Sequence, residues 1–240
     1  MNVAVIIPAA GLGTRMGRFR PERTGTSRKQ FMLLEGSPIL LHTIWKFLAC
    51  EQVSEILVAL RKEDTPWVRE LLDKEAPRKP VRLVEGGDSR QESVANALAA
   101  LSPGTDLVAV HDAVRPFISI EAIHQVIETA ARTGAAIIGI VPVDTVKEVH
   151  RDKVRATLPR ERLVLAQTPQ VFRYDLLKQA FQKAAEDGFA GTDESSLVER
   201  LEQTEITVVI GSDRNIKITR PSDMELARLF LREELAAAAS

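Results

Sequence analysis

The sequence contains little that would suggest secretion, membrane insertion or nucleic-acid binding. Its single cysteine, Cys50, excludes an intramolecular disulfide and is expected on the buried side of a helix. No run approaches the roughly 18 apolar residues of a membrane helix. We expect no signal peptide, because the chain starts with a predicted strand and shows no charged n-region and h-region. The 32 lysines and arginines are balanced by 33 acids, and the resulting net charge of -1 argues against general nucleic-acid binding, which requires a basic face over the whole domain. These absences predict a cytoplasmic protein that binds neither membranes nor nucleic acid.

Motifs for covalent catalysis and metal binding by histidine are also missing. The sequence has no G-x-S-x-G and no C-x-x-C, and its four histidines lie on separate predicted elements without ligand spacing. We expect His111 to be structural rather than a catalytic base. Without an evident nucleophile on the protein, the sequence favours a reaction whose substrate supplies its own.

A glycine-rich, cationic loop follows the first apolar run, Val3–Ile7. The only acid between Gly11 and Gln30 is Glu22, whereas the cations there are Arg15, Arg18, Arg20, Arg23, Arg28 and Lys29. A glycine loop at the end of a buried strand lets backbone amides approach phosphate oxygens, so the segment suits a nucleoside triphosphate.

Three loop types and an ordinary turn compete for this pattern. A P-loop requires Gly-Lys-Ser/Thr, which is absent, and a dinucleotide fingerprint requires its third glycine one position before Gly17. The nucleotidyltransferase loop, G-x-G-x-R-M followed by a lysine, is the remaining ligand-binding interpretation. A strand-to-helix turn with solvated arginines is the structural alternative.

Apolar runs and helical patterns alternate along the chain. The predicted strands are Val3–Ile7, Glu55–Leu60, Val81–Val84, Leu107–Val110, Ala136–Val141 and Ile206–Ile210. The predicted helices begin at Ser37-Pro38, Thr65-Pro66, the capping box Ser89–Glu92, Ser119, Tyr174, Thr192-Asp193-Glu194 and Ser222, and the alanine-rich end is expected to fray. This alternation predicts a single domain, 1–240, with a doubly wound, mostly parallel α/β sheet.

The alternation stops between Pro142 and Gln167. Two short strands, Thr145–Val149 and Val154–Leu158, are predicted there and form a protruding β-hairpin. An isolated hairpin is marginally stable in water, so we expect this arm, 142–167, to pack on a second subunit. A mobile surface hairpin is the alternative.

Glycines, carboxylates and cations recur after several predicted strands. Because the carboxyl ends of parallel strands form the ligand-binding edge of such a sheet, these segments are expected to meet. They are Glu85–Arg90, His111–Pro116, Pro142–Thr145 and Asn215–Pro221. The combination suits transfer of a nucleotidyl group onto a phosphate monoester, in which the protein aligns the reactants and neutralises charge.

The motifs together resemble those of the 2-C-methyl-D-erythritol 4-phosphate cytidylyltransferase family. They are P-A-A-G-x-G-x-R-M at Pro8–Met16, K-Q at Lys29-Gln30, E-G-G-D-x-R-x-x-S-V at Glu85–Val94, H-D-A-x-R-P at His111–Pro116, P-V-D-T at Pro142–Thr145 as a close variant of P-V-x-D-T, R-x-x-L-x-x-x-Q-T-P-Q at Arg160–Gln170, T-D-E at Thr192–Glu194 and N-I-K-I-T-R-P at Asn215–Pro221. The first motif marks the wider nucleotidyltransferase superfamily, and the set is specific to this family.

The resemblance implies a Rossmann-like nucleotidyltransferase fold and a role for each matching residue. Arg15, Lys29, Arg160 and Lys217 would be catalytic, the first two at the triphosphate and the last two at the phosphate of methylerythritol phosphate. Residues implied to bind CTP are Ala9, Ala10, Gly11, Gly13, Gly87, Asp88 and Ser93. Residues implied to bind the second substrate are Asp112, Arg115, Thr145 and Thr168. Mg²⁺ or another divalent cation would be held mainly by triphosphate oxygens, with Asp112 as a possible protein ligand, and the arm would be exchanged in a homodimer.

Two features leave alternatives open at this stage. The segment Gly17–Arg28 is longer and richer in arginine than the family pattern, and Arg28 occupies the position where proline often precedes Lys-Gln. A ribitol 5-phosphate cytidylyltransferase shares the nucleotide half of these motifs. A nicotinamide-dependent dehydrogenase and a non-catalytic nucleotide sensor are the alternatives from other classes.

Overall fold

A central sheet organises the protein in this computed structural model, which describes residues 1–11 and 28–239. The strands are β1 (Val3–Pro8), β2 (Leu33–Leu34), β3 (Ser37–Pro38), β4 (Val53–Leu60), β5 (Val81–Glu85), β6 (Leu107–Val110), β7 (Ala135–Ile140), β8 (Lys147–His150), β9 (Lys153–Thr157), β10 (Leu165–Arg173) and β11 (Thr207–Ile210). The main sheet has the order β11-β7-β10-β6-β1-β4-β5. Its pairs are parallel except those that β10 makes with β6 and β7. The mostly parallel, doubly wound fold is confirmed.

Helices cover both faces of this sheet. They are α1 (Ile39–Ala49), α2 (Thr65–Glu75), α3 (Arg90–Ala99), α4 (Ile120–Thr133), α5 (Tyr174–Glu186), α6 (Glu194–Glu199) and α7 (Pro221–Ala239). Apolar residues of α1, α2 and α4 pack in one buried cluster, and those of α3, α5 and α6 pack in another. Within the described ranges, none of the helices is both long and apolar enough to cross a membrane.

Strand β1 shows why the first apolar run has no polar positions. Val3, Val5 and Ile7 belong to the cluster on one face, Ile6 belongs to the cluster on the other, and all four are fully buried. A strand between two helical layers must be apolar on both sides, so it loses the alternation of a half-exposed strand.

Two of the predicted helix starts are wrong. Ser37 and Pro38 form strand β3 paired with β2, and α1 begins after Pro38 without a side-chain cap. Thr65 is the first residue of α2 rather than its cap, and its hydroxyl donates a 3.3 Å hydrogen bond to the carbonyl of Arg61. The serine-proline and threonine-proline pairs therefore lie next to the starts of α1 and α2, but neither Ser37 nor Thr65 is the N-cap residue.

The predictions missed strand β10, which lies in the middle of the sheet between β7 and β6. Its pairing with β7 is interrupted between Ala166 and Gln170. That interruption contains Pro169, which has no N–H group to donate to a neighbouring strand. A proline at such a position is unfavourable for the prediction of a central strand from sequence. Strand β10 returns the chain from the arm and places Thr168 beside the end of β6.

The predicted hairpin is present as β8 and β9, which form a separate two-stranded sheet. Arg151 and Asp152 turn between them with positive φ angles of 47° and 61°. The side chains of Val149 and Val154 are 55% and 63% exposed. Association of this arm with another subunit stays a prediction. At the carboxyl end, α7 extends to Ala239, beyond the predicted start of fraying.

Candidate active site

A cavity of about 340 Å³ opens at the carboxyl ends of β1, β4, β5 and β6. Nine predicted site residues line it: Ala9, Ala10, Gly11, Lys29, Gly87, Asp88, Ser93, Asp112 and Lys217. A second cavity of about 430 Å³ is lined by Arg115 and also by Lys217. The structure therefore brings the two groups of predicted residues together, with Lys217 between them.

The loop between β5 and α3 is closely packed and held by α3. Ser89 caps α3 by accepting a 3.0 Å hydrogen bond from the N–H of Glu92, as predicted. The Glu92 carboxylate accepts a 2.8 Å bond from the N–H of Asp88 rather than closing the predicted box on Ser89. The Ser93 hydroxyl accepts from the N–H of Gly87 at 3.0 Å. These contacts fix the backbone of Gly87 and Asp88 at the cavity wall.

Gly86 allows this loop to approach β1. A Cβ atom at Gly86 would lie 2.5 Å from the Ala10 Cβ and 3.0 Å from the Ser93 hydroxyl. Neither neighbour is the end of a flexible side chain, so any larger residue would push the two cavity walls apart.

Asp112 lies at the centre of a cluster of three cations. Its Oδ2 atom is 2.9 Å from Lys217 Nζ and 3.2 Å from Arg115 Nε, and its Oδ1 atom is 3.4 Å from Arg90 Nε. Burial would raise the pKa of Asp112, but Arg90, Lys217 and Arg115 outweigh it and hold that pKa well below its usual range. The carboxylate therefore stays ionised and positions three cations at one edge of the sheet.

Arg90 connects this cluster to α6. Its two terminal nitrogens donate to both carboxylate oxygens of Glu194 at 2.6 and 2.9 Å. Glu194 is 1% exposed, and burial raises its pKa against the opposing effect of Arg90. A bidentate pair of this kind fixes the plane of the guanidinium as well as its position. Arg90 is thereby held against Asp112 and the cavity.

Thr168 contacts Asp112 rather than either cavity. Its hydroxyl accepts a 3.0 Å hydrogen bond from the Asp112 N–H, and its carbonyl accepts one of 2.9 Å from the Asn215 side chain. The Asn215 carbonyl in turn accepts a 2.7 Å bond from Arg115. Thr168 lies on β10, so these hydrogen bonds connect the segment after β6 to the segment after β11 through that strand.

His111 is buried beneath the same turn. Its Nε2 atom donates a 3.0 Å hydrogen bond to the carbonyl of Arg115, and its ring meets the edge of Phe47 at a centroid distance of 4.8 Å. Burial lowers the pKa of His111 to about 4, so the ring is neutral at physiological pH. This position fits the structural role expected from the sequence.

The residues around Asp112 do not fit a bound divalent cation. Both oxygens of this carboxylate already contact cations, and a metal ion would have to displace them. In the part of the chain that the structure describes, no three His, Cys, Asp or Glu side chains form a group that could hold a metal ion.

Two predicted residues of the arm lie away from both cavities. Thr145 is exposed, and Arg160 lies on a short 3₁₀ helix, Arg160–Arg162, where it donates a 2.8 Å hydrogen bond to the Val143 carbonyl. Within one chain they do not join Asp112 or Lys217. The remaining predicted residues, Gly13 and Arg15, fall outside the described residues, as does most of Gly17–Arg28.

Arg28, the departure from the family pattern, forms ion pairs with Glu63 at 2.8 Å and with Asp64. Both acids belong to the short 3₁₀ helix Lys62–Asp64 that follows β4. Asp64 is buried, so Arg28 anchors the start of the Lys29–Phe31 segment to the β4–α2 connection.

Sequence reasoning missed four contributors to the site: Gln30, Arg61, Arg90 and Glu194. Three of them stand inside the quoted motifs, in K-Q, E-G-G-D-x-R and T-D-E, but nothing local distinguishes them from surface polar residues. Arg61 directly follows β4, so its position at the ligand-binding edge of the sheet could have identified it as a candidate site residue.

Known proteins that are similar to this chain in sequence and in structure belong to one enzyme family. Residues 3–233 match the model of the family described as 2-C-methyl-D-erythritol 4-phosphate cytidylyltransferase. The chain is 67% identical to the protein of that name from Solibacter usitatus over 98% of both sequences, and 49% identical to the one from Acidobacterium capsulatum over 97% of this chain and 98% of the relative.

Solved structures give the same result. The 4-diphosphocytidyl-2C-methyl-D-erythritol synthase of Anaerococcus prevotii superposes with a TM-score of 0.83 at 31% identity, covering 96% of this chain and 98% of that one. The 2-C-methyl-D-erythritol 4-phosphate cytidylyltransferase of Thermus thermophilus gives 0.76 at 33% identity, covering 97% and 100%.

Proposed function

This chain belongs to the 2-C-methyl-D-erythritol 4-phosphate cytidylyltransferase family, and from its geometry we propose how its own side chains carry out that reaction. The enzyme is a nucleotidyltransferase of the non-mevalonate pathway to isoprenoid precursors. It joins CTP to 2-C-methyl-D-erythritol 4-phosphate and releases pyrophosphate. The observation that carries the residue assignment is one cavity lined by the described residues predicted to bind CTP together with Asp112 and Lys217, which are predicted to act at the second substrate.

CTP occupies the part of the cavity between β1 and β5. Ala9, Ala10, Gly87, Asp88 and Ser93 enclose the cytosine there. Gly11 lets the backbone approach the nucleotide closely, as Gly13 does beyond it. Lys29 and Arg15 stabilise negative charge at the α-phosphate. The support for this assignment is the shared lining of one cavity by the described members of this set.

The polyol phosphate binds beside Asp112, Arg115, Thr168 and Lys217, toward the second cavity. One of its phosphate oxygens attacks the α-phosphorus of CTP, and the bond from that phosphorus to the β-phosphate oxygen breaks as pyrophosphate leaves. The attacking oxygen is already anionic, so no general base is required. Catalysis then consists of alignment and charge neutralisation, for which Lys217, held by Asp112, is well placed.

Mg²⁺, or another divalent cation, enters as part of the substrate, bound by the triphosphate oxygens of CTP. This follows the donor chemistry, since hard cations prefer phosphate and carboxylate oxygens and Asp112 is engaged by cations. The protein would supply the positively charged surroundings of this complex, and the cation would supply further neutralisation of the triphosphate charge.

The arm, 142–167, joins two chains in a homodimer. Val143, Val149 and Val154 expose 86%, 55% and 63% of their surfaces, and packing against another subunit would remove this apolar area from water. Thr145 and Arg160 of one subunit then complete the polyol-phosphate site of the other. We place the enzyme in the cytoplasm, where its nucleotide substrate is made.

Pyrophosphate release from each nucleoside triphosphate with each polyol phosphate tests the function. We expect turnover with CTP and 2-C-methyl-D-erythritol 4-phosphate, and at least about 100-fold lower specificity constants with UTP, because a site built for the cytosine amino group leaves polar groups unpaired around uracil. Preference for D-ribitol 5-phosphate would favour the ribitol alternative. Reduction of a nicotinamide cofactor, or binding without turnover, would favour the dehydrogenase or the sensor.

A further inference from the structure

Three successive carbonyls at the carboxyl end of β1 are each engaged by a side chain from elsewhere. The Gln30 amide nitrogen donates to the carbonyls of Ala9 at 2.6 Å and Gly11 at 3.2 Å. Arg61 Nε donates to the carbonyl between them, that of Ala10, at 3.0 Å. Gln30 is 2% exposed and Ala9 is also buried, so the bond between them is shielded from water.

These contacts determine where the amides of Ala10 and Gly11 point. In a trans peptide the N–H lies antiparallel to the preceding C=O, so holding the carbonyls of Ala9 and Ala10 also orients the next two N–H groups. Among the described residues, neither of those two N–H groups donates to a protein acceptor, whereas the Ala9 N–H is used by Ala59. Ala10 and Gly11 both line the cavity.

Arg61 is available for this contact because its neighbouring acids are occupied. Glu63 and Asp64, which follow it closely, form ion pairs with Arg28. Across the described ranges, no carboxylate lies within ion-pair distance of Arg61, which lines the same cavity as Ala10. Without a carboxylate partner among the described residues, its guanidinium donates through Nε to the Ala10 carbonyl.

We propose that Gln30 and Arg61 are positioning residues that hold the Ala9–Gly11 carbonyls and thereby aim the N–H groups of Ala10 and Gly11 at acceptor atoms of CTP. This inference rests on the proposed CTP site. Ala10 is 3% exposed, and buried backbone donors are paired in almost all proteins, so an oriented N–H group with no acceptor among the described residues indicates that a ligand pairs with it. Gly11 is exposed at the same cavity, where a ligand can reach its N–H group. The acceptors are oxygen or nitrogen atoms of either the base or the phosphates.

The experiment compares three variants of Arg61 that differ in the atom at the position of Nε and in charge. KM for CTP and kcat are measured for each. Arg61→Gln places an amide nitrogen at the position of Nε and removes the charge. Arg61→Lys keeps the charge but has a methylene at that position, and Arg61→Met has neither. Lys62→Met, at an exposed neighbour, controls for loss of one positive charge. Gln30→Glu and Gln30→Met test the second residue, with thermal unfolding to detect misfolding.

We expect Arg61→Gln to stay within about threefold of wild type, and Arg61→Lys and Arg61→Met to raise KM for CTP by about tenfold, the equivalent of one hydrogen bond. KM for the polyol phosphate should change little. Equal loss in the Gln and Met variants would assign Arg61 to charge binding and overturn the proposal, as would wild-type KM in Arg61→Met. If Gln30 variants fail to fold, the Arg61 series still decides.

Two inhibitors identify the acceptor. If the amides contact the base, Arg61→Met weakens inhibition by cytidine, which has no phosphate, about tenfold and leaves inhibition by inorganic tripolyphosphate unchanged. If the amides contact the phosphates, inhibition by tripolyphosphate weakens and inhibition by cytidine is unchanged. Unchanged inhibition by both would contradict the proposal. A wild-type protein that neither binds nor turns over CTP would instead refute the proposed function, so the two failures are distinguishable.

Discussion

Lys217 Nζ lies 2.9 Å from Asp112 Oδ2, which joins the segment after β11 to the turn after β6. Arg90 and Arg115 contact the same carboxylate, and the side chain of Asp112 is 8% exposed. One buried anion thus orders three cations contributed by distant parts of the chain. Its removal should therefore lower the stability of the fold, which the first prediction measures.

Asp112→Asn leaves Arg90, Arg115 and Lys217 without their common anion. We expect the free energy of unfolding to fall by about 3–5 kcal/mol, as for removal of one partner from a buried ion pair. Denaturant titration at pH 7 measures this. Asp73→Asn, at an exposed position on α2, is the matched control and should change stability by less than about 0.5 kcal/mol. Equal stability of the two variants would mean that the cluster is not a stabilising element.

Lys29→Ala tests charge stabilisation at the α-phosphate. Lys29 lies on the 3₁₀ helix Lys29–Phe31, whose buried Phe31 packs against Trp67 at a centroid distance of 5.0 Å. Loss of one preorganised charged contact should lower kcat by about 10²–10³. Lys62→Ala, an exposed cation nearby, should retain wild-type turnover. A saturating kcat near wild type in Lys29→Ala would remove this residue from the catalytic machinery.

Glycine positions 86 and 11 should respond differently to alanine. A Cβ at Gly86 meets the Ala10 Cβ at 2.5 Å, whereas a Cβ at Gly11 meets no atom of the described residues within 4 Å. Gly86→Ala should therefore lower thermal stability. Gly11→Ala should leave it unchanged while raising KM for CTP, because no described residue occupies that space and the proposed nucleotide site adjoins it. Thermal unfolding and CTP kinetics on both variants check this. If Gly11→Ala keeps the wild-type thermal stability and the wild-type KM for CTP, then CTP does not approach this glycine.

The strands and helices that a layered α/β sheet requires could be predicted from local sequence. Helix α5 was predicted with its observed start, and the serine caps of α3 and α4 were confirmed. Strand β10 was missed because its pairing spans an interruption at Pro169, and its neighbours in the sheet are decided by tertiary contacts rather than by local pattern.

The candidate site shows the same limit. Residues with a distinctive motif, such as those at Gly87 and Asp112, were identified, and the cavity brings them together. Glu194 and Arg61 act through one contact each, with Arg90 and with the Ala10 carbonyl. Their partners are remote in sequence, so periodicity and spacing contain no signal for either contact.

His111 gives the protein a pH dependence of stability. Its pKa in the folded state, about 4, lies below the ordinary value of 6.5 because the ring is buried. The neutral ring therefore contributes stability that is complete above pH 6.5 and is lost as the pH falls toward 4, on the order of 3 kcal/mol. Burial also lowers the pKa of His42, which adds a dependence of the same sign.

His111→Gln should reduce this dependence, because the amide can donate to the Arg115 carbonyl but does not titrate. Denaturant unfolding at several pH values between 7 and 4 gives the slope for wild type, His111→Gln and the exposed control His150→Gln. The control should keep the wild-type slope. If His111→Gln also keeps it, protonation of the buried ring is not what destabilises the protein in acid.

The arm makes a prediction about which chain completes which site. The Arg160 side chain donates to the carbonyl of Val143 on the arm itself, whereas Lys217 lines both cavities. If the arm is exchanged in a homodimer, each site combines Lys217 of one subunit with Arg160 of the other. Arg160→Ala and Lys217→Ala proteins should each be nearly inactive.

Refolding the two variants together should restore activity, because about half of the dimers are then mixed. In a mixed dimer, one site takes its arm from the Lys217→Ala chain and its core from the Arg160→Ala chain, and is wild type at both positions. The other site has both defects. One working site in half of the dimers gives roughly a quarter of wild-type activity, by counting the pairings of a two-fold dimer. If Arg160 serves its own subunit, every site keeps one defect, and the refolded mixture is no more active than its components.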